Sequence, residues 1–166
     1  MLTREVIYFA AGCFWGAQAY FAQFNGVIQT EVGYANGPSD HPSYEDVCNN
    51  SGHAETVKII YVPEVITPSM LIDRFLDVID PLAVNRQGGD TGIQYRSGIY
   101  WTTEYQKSVA EEKLAQLSEK LGQKTAVELL PIENFYPAEE YHQDYLKKNP
   151  GGYCHIPRNK LHLEEK

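Results

Sequence analysis

Val6 to Ala11 is an unbroken apolar run, and after Gly12-Cys13 the residues Ala17, Tyr20, Phe21 and Phe24 recur at helical spacing. The chain is therefore expected to open as a strand over Glu5 to Ala10 and a helix over Trp15 to Phe24. Val27 to Tyr34 predicts a second strand. In His53 to Val62, Thr56, Lys58 and Ile60 alternate with Val57, Ile59 and Tyr61, the period of a third. Leu71, Ile72, Phe75, Leu76 and Ile79 form one apolar stripe behind Thr67-Pro68. Thr67 suits an N-cap and Pro68 a first helical position, so a helix is predicted there, ending before Pro81. Arg96 to Trp101 predicts a strand. Thr103 with Gln106 reads as a capping box opening a helix to about Leu121, where Gly122 stops it. Ala126 to Ile132 is the last predicted strand, and Pro137 is expected to open a short helix toward Leu146.

Two long polar segments interrupt this order. Ala35 to Gly52, rich in Gly, Asn, Ser, Asp and Pro, predicts a surface loop with one short turn around Tyr44 to Val47. Asp80 to Gln94 predicts a second, with Arg86, Gln87, Gly88, Gly89, Asp90 and Gly92 close together. Ordered loops of this length tend to carry function. Asn149-Pro150-Gly151-Gly152 is a turn leading to Cys154, and residues 158–166 are expected to form a solvated tail. The succession of strands and helices predicts an α+β sandwich, helices lying over a mixed, largely antiparallel sheet.

At 166 residues the chain fits a single domain, 1–166, able to bury a core without disulfide staples. No stretch approaches the roughly 20 apolar residues of a spanning helix, and the N-terminus lacks a basic region followed by an apolar one. A soluble protein without a membrane is expected. The net charge of −8 argues against a nucleic-acid partner. Three cysteines, Cys13, Cys48 and Cys154, make neither a secreted framework nor a paired zinc pattern, so a reducing compartment, the cytoplasm, is expected. The histidines at 41, 53, 142, 155 and 162 show no ligand spacing, and no metal or other cofactor is expected.

Chemistry is expected at Cys13, where strand, tight turn and helix start meet. The unpaired amides of a helix N-terminus favour a thiolate, the reactive form of cysteine. Glu55 lies at the loop-to-strand junction Gly52-His53-Ala54-Glu55, and burial raises such a carboxyl until it keeps its proton near neutrality. Tyr44 and Tyr95 can donate hydrogen bonds from the two loops, and Asp90 can orient a neighbour. Phe14 and Trp15 read either as an apolar wall for a methyl-bearing ligand or as core. Cys154 follows a Gly-rich hinge that lets it swing toward Cys13, and reads as a redox partner or as an inert terminal thiol. Cys48 is read as structural. His53 either braces Glu55 or satisfies a backbone carbonyl, and Glu111-Glu112 and Glu139-Glu140 read as solvated helix faces. A cysteine hydrolase using His53 as base, a thiol peroxidase and a non-catalytic binder of methionine-rich peptides all remain open on these residues.

Taken together the motifs resemble those of the A-type peptide methionine sulfoxide reductases. The matching pieces are GCFWG at Gly12 to Gly16, VGYANG at Val32 to Gly37, PSYEDVC ending at Cys48, GHAE at Gly52 to Glu55, NRQGGDTGIQYRS from Asn85 to Ser97, and NPGGYC at Asn149 to Cys154. The resemblance implies a ferredoxin-like α+β fold and reduction of methionine S-sulfoxide, free or in proteins; a monomer is expected. It further implies that Cys13 is the nucleophile, Glu55 the acid, Tyr44 and Tyr95 the groups holding the sulfoxide oxygen, and Asp90 a supporting residue. Phe14 and Trp15 then enclose the ε-methyl group. Cys154 is the implied resolving thiol, giving a Cys13–Cys154 disulfide that thioredoxin reduces. Ile79, Leu82 and Gly89 depart from residues frequent in that family, all outside the proposed reacting groups.

Overall fold

Residues 2–161 are described by a computed structural model. Strand β1, Glu5–Ala11, runs through the middle of a six-stranded sheet. Ile7 and Phe9 are fully buried on the side facing the helices, while Tyr8 and Ala10 join Ala35, Ala54, Tyr100 and Phe135 in a smaller cluster on the other. This is the period-2 division that a strand imposes on its side chains. Helix α1, Phe14–Ala22, follows immediately and leads to β2, Val27–Ala35. The 35–52 segment contains a five-residue helix, α2, Tyr44–Cys48. It is capped at Ser43, whose side chain accepts from the Asp46 N–H at 3.1 Å while the Asp46 carboxylate accepts from the Ser43 N–H at 2.9 Å.

β3, Ala54–Tyr61, pairs antiparallel with β1 and β2, and α3, Pro68–Leu76, lies on the sheet behind its Thr67 cap. The second polar segment holds a hairpin, β4 Arg86–Gln87 and β5 Asp90–Thr91, then a 3₁₀ turn at Ile93–Tyr95. β6, Ser97–Trp101, adds to the free edge of β1. α4, Glu104–Leu121, ends at Gly122 in the left-handed region (φ 75°), a common helix stop. β7, Glu128–Pro131, pairs parallel with β6.

The sheet order is β7-β6-β1-β3-β2, with the edge strand β8, Phe135–Pro137, beyond β2. Its four central strands with α1 and α3 form the β-α-β-β-α-β arrangement of ferredoxin-like folds, and only the β6–β7 pair is parallel. The core lies between sheet and helices. Phe9 stacks between Phe21 at 5.1 Å and Phe75 at 4.8 Å, surrounded by Ile59, Leu71, Ile72 and Ile99.

Several sequence expectations are corrected. α3 stops at Leu76, short of the predicted run to Pro81. Pro137 ends a strand instead of starting a helix, because β2 offers an unpaired edge and a proline, lacking an N–H, is tolerated on an edge strand. Beyond it, a 3₁₀ turn at Glu140–His142 and a short α5, Tyr145–Lys148, replace one helix, broken by Asp144 at φ 52°. The Thr103 cap forms, but Gln106 turns its side chain to the Thr102 N–H, the Val6 carbonyl and the Tyr61 hydroxyl. In the expected solvated tail Arg158 and Asn159 are exposed, but Leu161 is buried and Lys160 accepts through its carbonyl from Gln23 at 2.8 Å; residues 162–166 lie outside the described residues. Among the described residues no helix is long and apolar enough to cross a membrane.

Candidate active site

Strand β1 ends at Ala11, and Gly12 turns the chain in the left-handed region at φ 78°, where a side chain would also meet the Gln87 Cβ at 2.6 Å. Cys13 is the N-cap of α1, so its thiol sits at the positive end of the helix. The β3 register places Glu55 beside Tyr34 of β2, and Glu55 Oε1 accepts from the Phe14 N–H at 3.2 Å. Thiol and carboxyl are thereby joined through one peptide group.

Burial decides their protonation. Glu55 is 2% exposed, and the loss of water pushes its pKa up to about 8, against the downward pull of the Phe14 N–H and with a smaller upward push from Asp90. The expectation of a protonated acid near neutrality holds in this geometry. The expectation of a resting thiolate does not. Cys13 is 7% exposed, and burial, then the Glu55 charge, raise its pKa well above the ordinary thiol range, while the Trp15 N–H opposes them too weakly. Desolvation outweighs the helix end, and the resting side chain is a neutral thiol.

Tyr44 opens α2, and its N–H donates to Glu139 Oε2 at 2.9 Å. Burial, followed by Cys48, holds its hydroxyl protonated. Tyr95 ends the 3₁₀ turn after β5, and burial followed by the Glu55 charge raises its pKa too. The next residue, Arg96, pins that turn by donating to Glu128 at 2.7 Å and to the Asn36 carbonyl at 3.3 Å. Asp90 accepts from the Tyr153 hydroxyl at 3.0 Å, and its charge is felt by Cys13, Glu55 and Tyr95. Cys13, Glu55, Tyr44, Tyr95 and Asp90 thus form one electrostatic cluster, drawn from β1–α1, β3 and both long loops. Cys154 joins it, its sulfur packed on the first turn of α1.

The two aromatic residues divide. Phe14 is core, 1% exposed and packed between Tyr34 and His142. Trp15 is half-buried, stacks on Tyr145 at 3.8 Å and donates from Nε1 to His142 Nδ1 at 3.0 Å.

That bond makes His142, which shows no ligand spacing in the sequence, the residue that fixes the Trp15 indole. Because Nδ1 accepts, the neutral ring carries its proton on Nε2. Glu139 was likewise expected on a solvated face, yet it accepts from the Tyr34 hydroxyl at 2.7 Å as well as from Tyr44. Burial works against its charge, but these donors hold its pKa below the usual carboxylate range. Tyr153 was overlooked although it adjoins Cys154. No periodicity marks His142 or Glu139; for Tyr153 the neighbouring cysteine was the available signal.

His53 does not face the thiol. Its ring is engaged by the Ser51 hydroxyl and the Ser39 carbonyl, each at 2.9 Å, which removes His53 as the base of a cysteine hydrolase. Cys48, expected to be structural, is exposed. Among the described residues no three His, Cys, Asp or Glu side chains converge as metal ligands do. A groove of about 550 Å³ between α4 and β7 is lined by Leu114, Lys124, Glu128 and their neighbours, and contains none of the cluster.

Known proteins share this architecture. The family model described as Peptide methionine sulfoxide reductase matches residues 5–165. A relative from Lachnoclostridium phytofermentans, "Peptide methionine sulfoxide reductase MsrA", is 51% identical over 154 residues, 92% of this chain and 93% of its own. Mxr1 of Saccharomyces cerevisiae in reduced form superposes with a TM-score of 0.85 at 39% identity, covering 96% of this chain and 92% of that one. The same yeast protein in complex with Trx2 matches with a TM-score of 0.58 at 30% identity, covering 86% and 84%.

Proposed function

The chain belongs to the peptide methionine sulfoxide reductase family, and on that premise we propose that Cys13 reduces methionine S-sulfoxide, free or in proteins, with Glu55 as acid and Cys154 as resolving thiol. The observation that carries the assignment of roles is the bond from the Phe14 N–H to a Glu55 carboxyl that keeps its proton up to about pH 8. With Oε1 engaged as acceptor, the proton resides on the other oxygen, ready for a ligand.

The sulfoxide oxygen is held by Glu55 and by the Tyr44 and Tyr95 hydroxyls, all protonated. Hydrogen bonding polarises the S–O bond and makes the sulfur electrophilic. Glu55 gives its proton to the oxygen as the Cys13 sulfur attacks, the thiol proton passes to the Glu55 carboxylate, and the hydroxyl then moves to the cysteine sulfur as the transient S–S bond and the S–O bond of the substrate break. A thiol and a sulfoxide become a sulfenic acid and a thioether, so protons balance and Glu55 is restored. A neutral resting thiol suits this balance, and it spares Cys13 adventitious oxidation before substrate arrives.

Trp15, oriented by His142, packs against the ε-methyl group, with Phe14 behind it and Asp90 supporting the Tyr153 side. Cys154 then displaces water from the sulfenic acid, forming a disulfide that an external dithiol reduces. A thioredoxin is the proposed reductant, supported by the yeast relative's complex with Trx2. We place the protein in the cytoplasm as a monomer; the free state of its three cysteines supports the reducing compartment alone.

Resolved epimers of methionine sulfoxide, supplied with dithiothreitol or with thioredoxin and its reductase, test this reading. Only the S-epimer is expected to be consumed. Cys154→Ser should release one methionine per molecule yet fail to cycle with thioredoxin, and sustained cycling by that variant would refute the resolving role.

A further inference from the structure

Glycine is a poor helix former, yet Gly16 lies in the first turn of α1. The space its side chain would take is already filled: a Cβ there would collide with the Cys154 sulfur and come within 3.6 Å of Ile156 Cδ1. On the other side of Cys13, a Cβ on Gly12 would lie 3.2 Å from His155 Nε2, and one on Gly88 2.9 Å from His155 Cβ. Two consecutive residues of the C-terminal segment thus occupy two bare notches flanking one thiol. Ile156, 2% exposed, and the Tyr153 bond to Asp90 hold the segment down at either end.

We propose that Gly16 and His155 are positioning residues for the second chemical step, seating the Cys154 sulfur for attack on oxidised Cys13. The proposal rests on the reading given under Proposed function. In that step the Cys154 sulfur attacks the sulfenic sulfur, the S–S bond forms and the S–O bond breaks. The hydroxyl leaves as water with the thiol proton, and Cys154 is oxidised as the Cys13 sulfenic acid is reduced. Attack requires approach to near contact, and a misplacement of about 1 Å can cost on the order of 100-fold. A methyl group at position 16 occupies the place of the sulfur itself. His155 acts one residue further on, as the peg that sets the register of the segment.

A single-turnover experiment without reductant separates the two steps. The protein is mixed with one equivalent of methionine S-sulfoxide, and methionine, free thiols and dimedone-trapped Cys13 are followed together. In the parent, each methionine released accompanies the loss of two thiols. Gly16→Ala and His155→Ala are each expected to release methionine at the parent rate. The second thiol should then be lost about 10-fold to 100-fold more slowly, with the dimedone adduct accumulating. His155→Phe, which keeps a ring in the notch, is expected to restore the parent rate. Prompt loss of two thiols in the alanine variants overturns the proposal, as does a methionine burst slowed by the same factor as thiol loss. A phenylalanine variant as slow as alanine also overturns it, because a ring nitrogen would then be required. Failure of the parent to release methionine instead overturns the proposed function.

Discussion

Cys13 and Glu55 sit in the same low-dielectric environment, and the same cause moves both titrations upward: burial disfavours whichever form is charged. For the carboxyl this is productive under the proposed mechanism, which needs a protonated acid. Glu55→Gln should slow methionine release about 100-fold to 10,000-fold in a single turnover, the usual worth of general acid assistance. In the parent the same rate should fall as pH rises through about 8, when Glu55 loses its proton. Stability follows the same titration. An acid whose folded value exceeds its ordinary 4.5 contributes fully below that value and loses the contribution as pH climbs toward about 8. Glutamine has no such loss, so Glu55→Gln should be the more stable protein at pH 7, by up to roughly 3 kcal/mol. Urea unfolding at pH 5 and pH 8 checks the sign, since the gap between variant and parent should widen with pH.

Short elements, more than long ones, bring the cluster together. α2 has five residues, too few to be stable alone, and it stands because Ser43 and Asp46 cap it and Glu139 holds its first N–H. Ser43→Ala should cost about 1 kcal/mol, concentrated in the loop that carries Tyr44. KM for methionine sulfoxide should therefore rise several-fold while the midpoint of thermal unfolding moves little, as steady-state kinetics and calorimetry can show together. The turn at Tyr44 is legible in the sequence because its loop composition and polar cap are local signals. β8 is not legible, because three residues carry no alternation and their pairing depends on an edge of β2 made about a hundred positions earlier. Gln106 shows an intermediate case. Its spacing from Thr103 marks the helix start correctly, but its side chain answers to Val6 and Tyr61, which the spacing does not contain.

Across the whole molecule, the Phe21–Phe9–Phe75 stack ties α1, β1 and α3 into one layer over the sheet. Phe75→Ala should cost about 3–5 kcal/mol and lower the midpoint of thermal unfolding by roughly 10 °C, measurable by calorimetry. The sequence by itself determined this layer: apolar periodicities of two and near 3.6 admit few arrangements, and the strand, turn and helix at Cys13 follow from neighbouring residues alone. It also determined which residues were chemically capable, through their type and motif order. Only the tertiary structure decided their state. Cys13 is a thiol and Glu55 an acid because water is excluded by segments far along the chain, and the Glu55 bond itself spans 41 positions. Trp15 is oriented by a histidine 127 positions away. Local spacing fixes backbone geometry, whereas desolvation and electric fields depend on everything that packs nearby, and that becomes defined only when the chain has closed on itself.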